Sequence, residues 1–213
     1  MKRTLFWAAM TALVMASLTA NANTITFFSG NAPIGQPDPQ VIGYGAMPLQ
    51  QAVVIDRAHP LWVSPIPGTN WVSLRSDGYG PVGDYYWETT FVLPSHYANP
   101  SITVSYYCDD FGYNWLLNGN ACGGHSSFQT GQMDTSTASE TAFFRPGENT
   151  LAFVVYNQQA WTGVDYYATV SYDSVPEPSS ALAFLCGLGG LVPVLRRQGF
   201  RSSKGSEGEE HAL

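Results

Sequence analysis

Through the middle of the chain, hydrophobic and polar residues alternate with a period of two. Residues 87–93 (WETTFVL), 102–108 (ITVSYYC), 114–118 (NWLLN), 150–156 (TLAFVVY) and 166–172 (YYATVSY) follow this pattern and are rich in β-branched and aromatic side chains, which predicts strands. Weaker strands are expected at 24–28, 51–55 and 71–74. No ten-residue stretch carries apolar residues at helical spacing, and no internal repeat is visible. Short strands separated by Gly, Pro and Asn predict an all-β fold, an antiparallel β-sandwich or jelly roll. The Gly- and Pro-rich stretch 29–48 reads as an irregular loop covering one end of the sandwich.

Alternation also assigns faces. Trp87, Phe91 and Leu93 fall on one side of their strand, as do Ile102, Val104 and Tyr106, and Leu151, Phe153 and Val155. These nine are the predicted core, and Thr103, Ser105 and Tyr107 then point to solvent. Asn118-Gly119 suits a type I′ hairpin, and Pro146-Gly147 a turn from which Glu148-Asn149 open a core strand.

The two ends of the chain read as addresses. Lys2 and Arg3 precede an apolar run over 5–18 that closes on Ala20-Asn21-Ala22, the pattern of a signal peptide over residues 1–22, against the alternative of a buried N-terminal helix. Residues 181–195 (ALAFLCGLGGLVPVL) carry no charge and run into Arg196 and Arg197, with Arg201 and Lys204 close behind. As a helix this segment reaches about 22 Å, a short transmembrane span whose basic flank stays cytoplasmic. Residues 23–174 are then the exported β-sandwich domain, and 175–213 the C-terminal signal.

Val175-Pro176-Glu177-Pro178, followed by a short Gly-rich apolar helix and by Arg196-Arg197, resembles the PEP-CTERM sorting signal of Gram-negative bacteria. That resemblance implies recognition by an exosortase, a membrane transpeptidase-like enzyme of exopolysaccharide-producing species. Two prolines around Glu177 hold the segment extended and outside the helix, the conformation a peptidase binds. This chain departs from the family by continuing to Leu213 after its arginines.

Composition narrows the function. Only 12% of residues are charged while 45% are hydrophobic and 14% aromatic, which excludes a disordered chain and a coiled coil. Net charge is −7 overall. Within 23–174, twelve acidic side chains face Arg57, Arg75 and Arg145, a net of −9. No basic footprint exists for a nucleic-acid backbone. Some 150 residues bury close to 70% of the unfolded surface, enough for one independent core.

Catalytic motifs are scarce. His59, His96, His125 and His211 show no zinc spacing, and neither a GxSxG elbow nor a CxxC pair occurs. Gly78-Tyr-Gly80-Pro-Val-Gly83 matches GxGxxG in letters, but a strand follows where a dinucleotide site needs a helix. No motif singles out a carboxylate pair for glycoside hydrolysis. Cys108 and Cys122 in an oxidising compartment are candidates for a disulfide worth about 3 kcal/mol, with two free thiols as the alternative. Cys186 falls in the apolar segment.

Asp109-Asp110, a few residues before Asn114-Trp115, concentrate hard oxygen ligands and form a candidate Ca²⁺ site, with Asp84 and Asp165 to complete it. The pair is similar to the paired aspartates of adhesin jelly rolls, whose calcium bridges sugar hydroxyls. The competing reading is that both aspartates cap turns. Aromatic residues flank the same loops, and among them Tyr79, Tyr85 and Trp161 are the best candidates for exposed stacking faces.

The run 86–93, then Asp109-Asp110 ahead of Trp115-Leu-Leu-Asn-Gly119, then 145–151 (RPGENTL) resembles galactose-binding-domain-like jelly rolls, including the sugar-binding domain of family 2 glycosidases. The resemblance spans 86–172 and implies the same sandwich. Together these features lead to a non-catalytic exported module, sorted to the envelope or matrix, that binds exopolysaccharide through Tyr85, Asp109, Asp110, Trp115 and Trp161. A carbohydrate-active hydrolase or lyase, or a purely structural matrix protein, are the alternatives. The segments 78–86, 109–115 and 161–166 are expected to meet at one rim.

Overall fold

The computed structural model describes residues 21–56, 62–124, 126–127 and 134–175. One compact unit runs from Asn21 to Val175. The sorting-signal residues Pro176, Glu177, Pro178, Arg196 and Arg197, the apolar segment 181–195 and most of the expected signal peptide lie outside the described residues; Val175 is exposed just after the last strand. Among the described residues, no helix is long and apolar enough to cross a membrane.

Among the described residues twelve strands follow in order: β1 (Asn21–Phe28), β2 (Pro37–Gly45), β3 (Gln50–Val54), β4 (Val72–Ser73), β5 (Gly83–Leu93), β6 (Tyr97–Asp109), β7 (Phe111–Leu117), β8 (Asn120–Gly123), β9 (Ser126–Ser127), β10 (Asp134–Ala138), β11 (Gly147–Asn157) and β12 (Gly163–Ser174). A 3-10 turn, Thr141–Phe143, precedes β11. All pairings are antiparallel, along the path β10-β6-β12-β4-β3-β2-β5-β11-β7-β8, with β1 beside β12 and β9 beside β7. Short β4 pairs Val72 with both Val164 of β12 and Val54 of β3, so it joins two layers into one barrel-like sandwich.

The layers meet through aromatic rings. Tyr106 on β6 lies 5.0 Å from Phe153 on β11, Phe153 lies 4.9 Å from Tyr166 on β12, and Phe27 on β1 stacks at 5.3 Å on Phe91 of β5. Each such ring contributes roughly 1.5–3 kcal/mol by leaving water. All nine core residues expected from the alternation are buried. A smaller cluster of Ile55, Trp62 and Trp71 covers the outer face near the start of β12, with Trp62 and Trp71 rings 4.2 Å apart. That cluster overturns one expected face: Tyr107 packs on Trp71 at 6.3 Å instead of pointing to open solvent. Thr103 and Ser105 do lie on the outer face, bonded at 2.9 Å to Thr137 and Thr135 of β10.

Two further expectations need correction. The stretch 29–48 is not one irregular loop, because it contains β2. Pro37 and Pro39 sit at exposed positions, before the register break that precedes Ile42, so neither costs a ladder bond. Asp38 turns inward between them and accepts the N–H groups of Gly30, Asn31 and Gln40, which anchors the strand's entry. Strand β10 (DTSTA) escaped notice because its inner face offers little apolar contrast. Its pairing to β6 is secured by hydroxyls.

Turn chemistry follows the sequence. Asn118 and Gly119 both have positive φ, 50° and 82°, as a type I′ turn between β7 and β8 requires. Asn118 and Asn149 bond to each other at 2.7 Å and to the backbone of Thr150, Phe143 and Arg145, which locks this end of the sandwich. The segments that carry the candidate residues lie at the opposite end.

Candidate functional site

At that other end the starts of β5, β7 and β12 meet the ends of β6 and β11, since Asn157 pairs with Gly83, Tyr156 with Phe111, and Gly163 with Asp109. The segments 78–86, 109–115 and 161–166 share this rim. Tyr79 and Trp161 form an isolated antiparallel bridge, flanked by Gly80 N–H to Ala160 O (2.8 Å) and Thr162 N–H to Gly78 O (2.9 Å). Their rings lie 4.8 Å apart at 58°. Buried Asn157 donates at 3.0 Å to the carbonyls of Gly80 and Pro81, fixing the Tyr79 loop to the end of β11. Gly80 leaves no room for a side chain, because a Cβ there would meet the Tyr85 hydroxyl at 2.4 Å.

The two aspartates are structural, not a mouth. Asp109 is 2% exposed, and its Oδ2 accepts the Trp62 indole N–H at 2.6 Å. Burial, reinforced by Asp110 alongside, pushes the Asp109 carboxyl up to about 9, so it is protonated at neutral pH. Asp110 is also buried, and its Oδ2 accepts the backbone N–H groups of Gln158 (2.6 Å) and Gln159 (3.2 Å). The calcium site expected here is corrected accordingly. Neither carboxyl opens to a cation, and among the described residues no three His, Cys, Asp or Glu side chains gather as metal ligands. Asp165 is likewise committed, accepting from Ile66 N–H at 2.8 Å, Ser29 Oγ at 3.2 Å and the Thr69 hydroxyl. Burial raises its carboxyl, and those bonds oppose the shift.

The aromatic candidates divide. Tyr85 is 0% exposed and points inward, its hydroxyl donating to Pro81 O at 3.0 Å; Trp115 is buried too, donating from Nε1 to Ser136 Oγ at 2.6 Å. Neither offers a stacking face, because both fall on the inward parity of their strands. Trp161 is half-buried and Tyr79 is 43% exposed. Around them lie exposed Gln158 and Gln159 and the Arg75–Asp77 ion pair at 2.6 Å. The rim thus offers the bridged Tyr79–Trp161 pair, the neutral amides of Gln158 and Gln159 and a compensated ion pair. Cys108, buried at the end of β6, and half-buried Cys122 on β8 are not joined by a disulfide.

One feature of the outer surface escaped sequence reasoning. On the outer face of β2 and β5, Ile42, Tyr44, Gly45, Met47, Leu49 and Glu88 line a shallow, mostly apolar cleft of about 530 Å³. Tyr44 and Tyr86 face each other across the strand pair with rings 5.1 Å apart and 10° from parallel. The Tyr44 hydroxyl donates to Glu88 Oε1 at 2.6 Å, which holds its proton up to about 12. The signal was present in the alternation of residues 41–45 (VIGYG), with Val41 inward and Ile42 outward, inside a segment read as loop.

No protein-family model and no curated protein matches the sequence. Among solved structures, the chain is similar to a family 35 carbohydrate-binding module from Clostridium thermocellum. Identity is 14%, coverage 68% of this chain and 97% of that one, and the TM-score 0.39. It is also similar to a carbohydrate-binding-module domain of a multidomain xylanase from the hindgut metagenome of Trinervitermes trinervoides. Identity there is 12%, coverage 69% of this chain and 96% of that one, and the TM-score 0.33.

Proposed function

We propose that this chain is an exported, non-catalytic carbohydrate-binding module that associates with exopolysaccharide at the cell envelope or in the extracellular matrix. The observation that carries the reading is the Tyr79–Trp161 ring pair, held on backbone bridges at the rim beside the amides of Gln158 and Gln159 and the Arg75–Asp77 ion pair. Sugars present an apolar C–H face and a ring of hydroxyls, which a fixed aromatic face and neutral polar groups complement. Rigid support lowers the ordering cost of binding. A non-catalytic role is favoured because the rim's buried carboxyls, Asp109 and Asp110, already serve Trp62 and the backbone of Gln158 and Gln159 and do not face solvent as an acid and base pair.

Sorting by an exosortase belongs to the same proposal. It is supported by the Val175-Pro176-Glu177-Pro178 motif, the uncharged segment 181–195 and Arg196-Arg197, with a membrane-held intermediate before processing. The test incubates the purified chain with the host's own exopolysaccharide. Retention without new reducing ends supports the module, whereas chain shortening means a hydrolase or lyase, and neither outcome leaves a purely structural protein.

A further inference from the structure

We propose that the cleft on the outer face of β2 and β5 is a second saccharide-contacting site, with Tyr44 as the stacking platform and Glu88 as the hydroxyl acceptor. The inference rests on the carbohydrate-binding reading and adds a site to it.

Three observations select the occupant. First, Tyr44 is backed by the stacked ring of Tyr86 at 5.1 Å and, with Ile42, Met47 and Leu49, lines a mostly apolar cleft on an open sheet face. Aromatic surface of this kind takes the C–H face of a sugar ring. Second, the hydrogen bond from Tyr44 to Glu88 consumes the phenolic proton, so both groups offer lone pairs and no proton to a ligand. The occupant must bring donors, and sugar hydroxyls are donors. A purely apolar side-chain surface would instead bury the Glu88 carboxyl without adding a donor to it. Third, Glu88 lies in a domain of net charge −9, which repels uronic acids, phosphates and sulfates. The occupant is therefore a neutral saccharide.

Placement fits an extended chain. Gly45 pairs with Tyr85 and Ala46 N–H bonds to Asp84 O at 2.8 Å, so the end of β2 lies at the same end of the sandwich as the rim. Tyr86 is three residues along β5 from Gly83, roughly 10 Å below the rim on the outer face. Gly45 itself adopts φ 122°, and a Cβ there would meet Asp84 O at 2.1 Å, so the backbone edge of the cleft is fixed by close approach.

The test titrates the ¹⁵N-labelled full chain with cellohexaose, xylohexaose, mannohexaose and fragments of the host exopolysaccharide, following backbone amide shifts. The expected result is saturable shifts at Ile42, Tyr44, Met47, Leu49 and Glu88 with at least one probe. Glu88→Gln, which keeps shape but weakens the acceptor, should reduce affinity at these positions roughly fivefold, as for the loss of one hydrogen bond. Tyr44→Ala should abolish the shifts there while leaving those at Tyr79 and Trp161 in place. Shifts confined to the rim overturn the second site and leave the carbohydrate-binding reading standing; shifts confined to the cleft support the second site and remove the rim. Silence at both places with every probe overturns both.

Discussion

The indole nitrogen of Trp62 and the carboxyl of Asp109, 47 residues apart in sequence, meet at 2.6 Å beneath the rim. The bond links the outer Trp62–Trp71 cluster to the last residue of β6. It also places an acidic group where ionisation is unfavourable, next to Asp110. The folded state therefore holds a proton on Asp109 that the unfolded chain, with an ordinary carboxyl near 4, releases. Its stabilising contribution is complete below about pH 4 and declines as pH rises toward about 9. Asp165, raised in the same direction, adds to the slope. Urea unfolding across pH 4–9 should show falling stability, and Asp109→Asn, neutral at every pH, should flatten the curve.

Asp110 acts on the backbone of the β11–β12 connection. Removing its carboxyl in Asp110→Ala strands the N–H groups of Gln158 and Gln159 and should cost about 2–3 kcal/mol, seen as a melting point several degrees lower. Adding calcium or a chelator should leave the melting point of the parent protein unchanged. A calcium-dependent rise would restore the metal reading.

Stacking at the rim should be modest per ring. Trp161→Ala and Tyr79→Ala should each weaken retention on the host polysaccharide several-fold, matching about 1 kcal/mol, while circular dichroism stays that of the parent. Tyr85→Phe should leave binding alone, because its hydroxyl faces Pro81 inside the protein.

Processing should depend on the extended motif. Glu177→Ala or Pro178→Ala should accumulate an unprocessed, membrane-held precursor in a host with exosortase, measured by fractionation and blotting. Release at normal size would remove exosortase sorting from the proposal.

The thiols give a direct chemical check. With Cys108 and Cys122 unbridged, both should be alkylated after denaturation without reductant, Cys122 first under native conditions because it is the more exposed. Reductant should then leave the melting point unchanged.

Period two in the sequence was sufficient for five of the strands and the nine core positions, because a side-chain repeat of two is a local property of extended backbone, and the Asn118-Gly119 dipeptide for its turn. The same local information gathered three loops at one rim, since antiparallel strands return their ends to the same place. What it did not hold is which outward-facing and loop-borne groups are covered by residues distant in the chain. Tyr85 and Trp115 face inward with the parity of their strands, whereas Tyr107, outward by parity, is covered from outside by a cluster whose members come from residues 55–71. Asp109 and Asp110 resemble a ligand pair until Trp62 and the 158–159 backbone arrive from 47 to 49 residues away to occupy them. The cleft on β2 and β5 likewise needed the cross-strand meeting of Tyr44 with Tyr86 and Glu88. Local alternation fixes strands and inner faces, whereas partners distant in the chain decide which polar and aromatic groups remain available to a ligand.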